Sequence, residues 1–337
     1  MARIDVIGLG PAGADLLTSN ARALWAEADQ RFLRTARHPA VHDIEPAASF
    51  DHHYEQADTF TQVYSGIVQD LLAAAALHGR VTYAVPGSPV VAESTVEQLL
   101  AAAGDELEVV VHPAMSFLDL AWARLGVDPV AASVAIVDGH RFDATRPSGG
   151  GAALVAQCES RRTLSDIKLA LAEPPVGTVT LLQGLGLPDE RIERVDWAEI
   201  DRTLEPDHLT SLWIPDLPPT AGGRLDRFAA LVQQLRRDDP WKARQDHESL
   251  RPYLLEEAHE VLEAIGAYDT ETGEGADELA SELGDLLYQP VFHAAIASET
   301  GWFDLADVVS SIHDKLVARS SYPDWETAKA AERNAEQ

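Results

Sequence analysis

Two pairs of acids, Glu257-x-x-Glu260 and Glu282-x-x-Asp285, each embedded in strongly helical sequence, limit what the C-terminal third of this chain can fold into. Residues three apart in a helix lie about 60° apart around the axis and about 4.5 Å along it, so each pair projects both carboxylates from one face. Nothing is gained from that spacing alone, because like charges so placed repel by about 0.2–0.5 kcal/mol. Leu250, Leu254, Val261, Leu262 and Ile265 form an apolar stripe around the first pair, and Leu279, Leu283, Leu286 and Leu287 do so around the second. The acids therefore border a stripe expected to face the core, where carboxylates are costly unless paired or metal-bound. An antiparallel helix pair presenting them would be a hard oxygen-ligand site for Mg²⁺ or Mn²⁺. Residues 268–276, with Gly266, Gly273 and Gly275 in or beside them, read as the connection. The competing reading is a solvated acidic surface, common in a chain with 55 Asp and Glu against 26 Lys and Arg.

The surrounding sequence favours the metal site. Pro240-Trp241, the segment 245–260, Glu282-Leu283-Gly284-Asp285-Leu286-Leu287, Val291-Phe292-His293-Ala294, Gly301-x-Phe303-Asp304 and Lys315-Leu316-x-x-Arg319 follow one another in order. In this series residues 226–337 resemble a MazG-type nucleoside triphosphate pyrophosphohydrolase domain of the all-α NTP pyrophosphatase superfamily. The resemblance implies a helical bundle, normally dimeric, that hydrolyses an NTP to NMP and pyrophosphate. It also implies that Glu257, Glu260, Glu282 and Asp285 hold Mg²⁺ and that Lys315, Arg319, Trp325 and Lys329 contact phosphate and nucleotide. Charge points the same way: a triphosphate approaching a protein this acidic needs cations to neutralise repulsion.

The chain departs from the MazG pattern in places. The usual Cys-Pro-Trp-Asp stands as Asp239-Pro240-Trp241-Lys242, and the stretch after the basic helix is reduced to Arg319-Ser320-Ser321-Tyr322-Pro323. Pro290 falls inside the expected second acidic helix and should kink it just after Asp285, because proline lacks the N–H and its ring clashes with the carbonyl of Leu286.

Upstream, strands alternate with helices. Residues 4–8, 81–85 and 107–111 read as strands and residues 15–28 and 94–104 as helices, which argues an α/β fold. Residues 215–223, rich in Pro and Gly, read as a linker. Gly8-Leu9-Gly10-Pro11-Ala12-Gly13 is a poor dinucleotide fingerprint, since Pro11 interrupts the turn. With Arg37-His38-Pro39, residues 83–89 and residues 112–119, however, it resembles the tetrapyrrole (corrin/porphyrin) methylase superfamily, over roughly residues 1–215 and fading after Arg146. That resemblance implies two α/β lobes and S-adenosylmethionine bound near Gly8, Gly10, Gly13, Pro86, Gly87, Ser88 and Pro89. Methylases proper carry Gly-Asp-Pro where this chain has Pro86-Gly87-Ser88-Pro89, and Pro-Gly-x-Ser where it has Pro113-Ala114-Met115-Ser116, so methyl transfer is less expected than cofactor binding.

The expected architecture is an α/β two-lobed methylase-like domain (1–215), a linker (216–224) and an all-α helical bundle of the NTP pyrophosphatase type (225–337). Hydrolysis of NTPs is the leading function. The alternatives are an S-adenosylmethionine-dependent methyltransferase acting on a tetrapyrrole or other small molecule, and a ligand-sensing module whose helical part dimerises. His38, His42, His52 and His53 crowd a stretch with Asp43, Glu45 and Asp51 but lack the tight repeated spacing of a zinc motif, so they read as solvated or hydrogen-bonded. One cysteine, Cys158, rules out a disulfide within the chain. A net charge of −29 opposes binding to nucleic-acid polymers. The lack of a basic N-terminal signal, a long apolar run and a lipidation motif predicts a cytoplasmic protein with no membrane partner.

Overall fold

The computed structural model describes residues 1–322, 325–327 and 329. The chain divides into two compact units, Met1–Pro218 and Pro219–Gln337. No helix among the described residues is long and apolar enough to cross a membrane.

The first unit contains two sheets. Strands β1 (Ala2–Gly8), β2 (Arg31–Leu33), β3 (Ala48–Ser49), β4 (Arg80–Val85) and β5 (Leu107–Val111) pair in the order β3-β2-β4-β1-β5, all parallel. β1 and β4 are near-continuous apolar runs, as strands covered on both faces must be, and Ile4, Val6, Ile7, Val81, Tyr83 and Ala84 are buried. Helices α1 (Ser19–Glu27), α2 (Asp51–Gln56), α3 (Phe60–His78) and α4 (Ser94–Ala102) accompany this sheet. Ile67, Leu71 and Ala75 of α3 join Leu99 of α4 and the strand side chains in one core.

Helix α5 (Phe117–Leu125) leads to the second sheet. A reciprocal cap between Ser116 and Asp119 starts it, and Ala121 packs with Leu154, Leu182, Leu185 and Trp213. Strands β6 (Ala135–Asp138), β7 (Gly151–Ala156), β8 (Val179–Gln183), β9 (Arg191–Val195) and β10 (Thr210–Leu217) run in the order β6-β7-β10-β8-β9. Only β6 and β7 are parallel, so this sheet is mixed. Helices α6 (Phe142–Thr145) and α7 (Arg161–Leu169) flank it, and Cys158 is buried in its core beside Leu164 and Leu181, where burial pushes the thiol well above its ordinary range.

The second unit is helical: α8 (Ala221–Asp238), α9 (Arg251–Ala267), α10 (Ala276–Thr300) and α11 (Leu305–Ser320). Val232, Leu250, Val291, Phe292, Ala295 and Ile296 form its core. The expected MazG-like bundle and methylase-like α/β fold are both present.

Two local expectations need correction and two are refined. The helix read over residues 15–28 is broken at Leu17, because Thr18 caps a fresh start at Ser19 by accepting from the amide of Ala21. The boundary between the two units, after Pro218, falls inside the expected linker 215–223, but most of that stretch is ordered: β10 continues through Pro215 to Leu217, with its register shifting after Ile214, and α8 begins at Ala221 with Thr220 as its cap. Pro tolerates that strand because the shift removes the ladder bond its missing N–H would have made. Helix α10 runs from Ala276 to Thr300 with Pro290 inside it, so the proline does not end the helix. Finally, the stripe flanking the acids is only partly core. Leu250 and Val261 are buried, but Leu262, Ile265, Leu283 and Leu287 remain 65, 53, 49 and 47% exposed. The core of this unit gathers around the C-terminal half of α10, leaving the acid-bearing stretches of α9 and α10 with each other as neighbours.

Candidate metal and nucleotide site

The α9–α10 hairpin brings the acids together through its turn. The Asp269 carboxylate accepts from the amides of Glu271 and Thr272, and the Gly273 amide donates to the Asp269 carbonyl, folding the chain back. Gly275 then adopts φ 83°, and a side chain there would press on the carbonyl of Ala267 at 3.2 Å. From that reversal, the ten helical steps from Glu257 to Ala267 and the nine from Ala276 to Asp285 are matched, so at about 1.5 Å per step both acids stand about 14 Å from the turn.

The result is convergence. Glu257, Glu282 and Asp285 each offer a carboxylate oxygen within 4.8 Å of the others. Glu257 and Glu282 are half-buried and Asp285 is exposed. Partial burial, and then the charges of Asp285 and Glu260, hold the Glu257 carboxyl above its ordinary range. Burial, Glu260 and Glu278 do the same to Glu282. Glu260 is exposed and outside the converging three, although its charge acts on both glutamates. A cluster of hard, mutually repelling oxygens with this spacing suits Mg²⁺ or Mn²⁺, whose octahedral shell takes carboxylates and water at about 2.0–2.2 Å.

The predicted nucleotide contacts lie on and after α11. The Arg319 guanidinium lies 4.3 Å from the centre of the Trp325 ring and the Lys329 ammonium 5.5 Å from it. Lys315 is exposed one turn before Arg319 on α11. Arg319, Trp325 and Lys329 thus form one cation–aromatic cluster. Pro323, part of the shortened stretch after Arg319, lies outside the described residues.

Several supporting residues carry no periodic signal. Arg236, buried near the end of α8, donates to both carboxylate oxygens of Glu299 and to the carbonyls of Lys242 and Gln245. In the sequence it is indistinguishable from its solvated neighbour Arg237. Asp239 accepts from the amides of Trp241 and Lys242 and pairs with the Lys242 ammonium at 2.9 Å, which accounts for an acid and a base at the two ends of Asp239-Pro240-Trp241-Lys242. His247 and His293 stack with their Nδ1 atoms 2.8 Å apart, and burial together with His247 holds His293 below the usual histidine range.

In the first unit, the two loops expected to hold a cofactor are stitched to each other. Gly10 donates to the Gly87 carbonyl at 3.2 Å, and Gly87 returns a bond to Gly10 at 2.8 Å. A side chain on Gly8 would strike Gly87 O at 2.3 Å, Ala114 and Pro89, one on Gly10 the carbonyl of Leu16, and one on Gly13 the carboxylate of Asp15. Gly8 and Gly10 are therefore required by the protein's own packing, whereas at Gly13 the Asp15 side chain can swing aside. Gly87 differs: its φ is +65° and nothing lies within 4 Å of where a side chain would start. Pro86 is half-buried, and Ser88 and Pro89 are buried. His38, buried, bonds to the Gly10 carbonyl through Nε2 at 3.0 Å.

Comparison with known proteins agrees with both units. The family described as tetrapyrrole (corrin/porphyrin) methylases matches residues 3–201, and the MazG nucleotide pyrophosphohydrolase domain matches residues 245–322. The uncharacterized protein YabN of Bacillus subtilis is 33% identical over 98% of this chain and 71% of its own length. The nucleoside triphosphate pyrophosphohydrolase/pyrophosphatase MazG of Thermotoga maritima is 38% identical, over 34% of this chain and 47% of its own. The nucleoside triphosphate pyrophosphohydrolase of Escherichia coli K12 is 40% identical, over 34% and 41% respectively, so the chain spans less than half of either MazG relative. The fold of the first unit is that of uroporphyrin-III C-methyltransferase from Thermus thermophilus, solved with S-adenosyl homocysteine, at TM-score 0.50 and 20% identity over 63% of this chain and 97% of that one.

Proposed function

The chain belongs to the tetrapyrrole methylase family and carries a C-terminal MazG nucleotide pyrophosphohydrolase domain, and from that premise we propose that its helical unit hydrolyses nucleoside triphosphates to the monophosphate and pyrophosphate in the cytoplasm. The observation that carries this reading is the convergence of Glu257, Glu282 and Asp285 across the α9–α10 hairpin. These three residues would hold Mg²⁺ or Mn²⁺, with Glu260 beside them. Such an ion, when bound, supplies the positive charge that draws a triphosphate to an acidic surface and makes its bound water more acidic. Arg319 and Lys329 offer charge to the phosphates, with Lys315 one turn away, and Trp325 offers a face for a base to stack on. Incubation with a panel of NTPs and Mg²⁺ tests the reading, with NMP and pyrophosphate as expected products. Appearance of NDP and orthophosphate would overturn it.

The same helices support association with a second copy. Leu262 and Ile265 on α9 and Leu283 and Leu287 on α10 leave an apolar surface beside the acids. A homodimer through this unit would cover it.

A second reading concerns the first unit, and the open left-handed Gly87 favours it. S-adenosylmethionine would bind along Gly87, Ser88 and Pro89, with Gly8, Gly10 and Gly13 holding the opposing loop in place. Methyl transfer to a tetrapyrrole or another small molecule is the further step. Calorimetry with S-adenosylmethionine and S-adenosylhomocysteine tests binding, and absence of heat with both at millimolar concentration would leave a unit that has kept the fold and lost the cofactor.

A further inference from the structure

We propose that His52, His53 and Asp70 form a zinc-binding site on the first unit, separate from the carboxylates of the helical unit. His52 and His53 are consecutive on the short helix α2, and Asp70 faces them from α3. The Nε2 atoms of His53 and His52 lie 2.8 and 3.9 Å from the Asp70 carboxylate. One donor atom from each of the three residues lies within 4.8 Å of the other two. Consecutive helical side chains diverge by about 100°. Here the two rings nonetheless turn toward a common partner, their centres 4.2 Å apart.

The fold makes room for this arrangement. Gly66 occupies the interior of α3, where glycine is the least favourable residue after proline. A side chain at that position would meet His53 Nδ1 at 2.6 Å and Cε1 at 2.7 Å. Its absence lets the His53 imidazole lie against the helix that presents Asp70. Phe50 packs tilted against both rings, 6.3 Å from His52 and 6.0 Å from His53. His52 and Asp70 remain exposed, which leaves a path for an ion and a place for a water ligand.

The donor set selects the metal. Two imidazole nitrogens and one carboxylate oxygen, completed by water, suit four-coordinate Zn²⁺ and disfavour Mg²⁺, which takes oxygen in an octahedron. Zinc–ligand bonds of about 2.0–2.2 Å place tetrahedral donors about 3.4 Å apart, between the two histidine–carboxylate distances here. Small side-chain rotations would close one and open the other. The ion would clip α2 to α3.

Titrating Zn²⁺, and in parallel Co²⁺ followed by visible absorption, into chelator-stripped full-length protein with Mg²⁺ in excess tests the proposal. One equivalent is expected to bind, with the intense absorption of four-coordinate Co²⁺. His52→Ala and Asp70→Asn should each weaken binding on the order of 100-fold, and Zn²⁺ should raise the melting temperature of the wild type but not of either variant. Glu282→Gln should leave the titration unchanged. Equal affinity in wild type and His52→Ala, a variant at an exposed position, would overturn the site. Loss of binding in Glu282→Gln instead would show that the metal sits among the carboxylates.

Discussion

Arg236 and Glu299, 63 positions apart, meet in a two-pronged ion pair that ties the end of α8 to the end of α10. The guanidinium's remaining bonds, to the carbonyls of Lys242 and Gln245, fasten the connection into α9 as well, and its Cζ lies 5.7 Å from the centre of the Phe292 ring. One buried side chain thus sets where the acid-bearing hairpin stands relative to α8. Arg236→Lys keeps the charge but cannot reproduce the fork. It should lower stability by about 2–3 kcal/mol, the scale of lost charge-assisted hydrogen bonds, seen as a shifted denaturant midpoint with an unchanged slope.

Removing one converging carboxylate should separate activity from folding. Asp285→Asn and Glu282→Gln change charge but little volume, so each should cut NTP hydrolysis by about 100-fold or more while leaving the far-ultraviolet circular dichroism spectrum unchanged. Near-wild-type turnover of either at saturating Mg²⁺ would remove these residues from the site.

The same repulsion gives a pH signature. Glu257 and Glu282 bind protons more tightly folded than unfolded, so without metal they penalise the folded state as they ionise. The penalty is absent below the ordinary glutamate range, grows as pH rises toward the raised values, and is fully present above them. Metal-free Glu282→Gln should therefore match the wild type in melting temperature at low pH and exceed it at neutral pH. Added Mg²⁺ should reverse the neutral-pH order. A gap that stays constant with pH would contradict the assignment.

Pro290 lies in an unbroken helix, on its exposed side, where it leaves the carbonyl of Leu286 without its usual helical donor. Pro290→Ala restores that N–H and should stabilise the helical unit by about 1–3 kcal/mol, read from thermal melting.

For the first unit, Gly10→Val should unfold or weaken the protein whether or not a cofactor binds, because Gly10 has φ +76° and a side chain there would meet the carbonyl of Leu16 at 2.8 Å. Gly87→Ala is the cleaner probe. It places a methyl group in open space at a cost of about 1–2 kcal/mol in backbone strain, and should weaken S-adenosylmethionine binding well beyond its effect on melting. Equal affinity in both proteins would place the cofactor away from this loop.

Features with a local period were legible in the sequence. The acid pairs, the hairpin between α9 and α10, and strands β1, β4 and β5 all follow from spacing and turn residues. What escaped depends on who packs against whom. Leu262 and Leu287 look like core residues because they fit a helical stripe, yet among the described residues they stay largely exposed. Gly8 looks like a ligand-binding glycine because such loops bind ligands, and its sequence gives no sign that Gly87, Ala114 and Pro89 crowd it. His53 and Asp70 are separated by 17 positions, with no motif to join them. Thr18 was the exception, a capping residue in plain view whose signal marks the start of α1.

The solitary thiol described in the second sheet has a practical use. Cys158 is fully enclosed and strongly disfavours the thiolate that electrophiles require, so the folded chain should be inert to maleimides. A cysteine introduced on the surface of either unit would then be the sole reactive handle. Dyes attached in this way, one per unit, would let single-molecule fluorescence follow whether a nucleotide held by the helices changes the distance to the methylase-like unit, with no native residue having to be removed first.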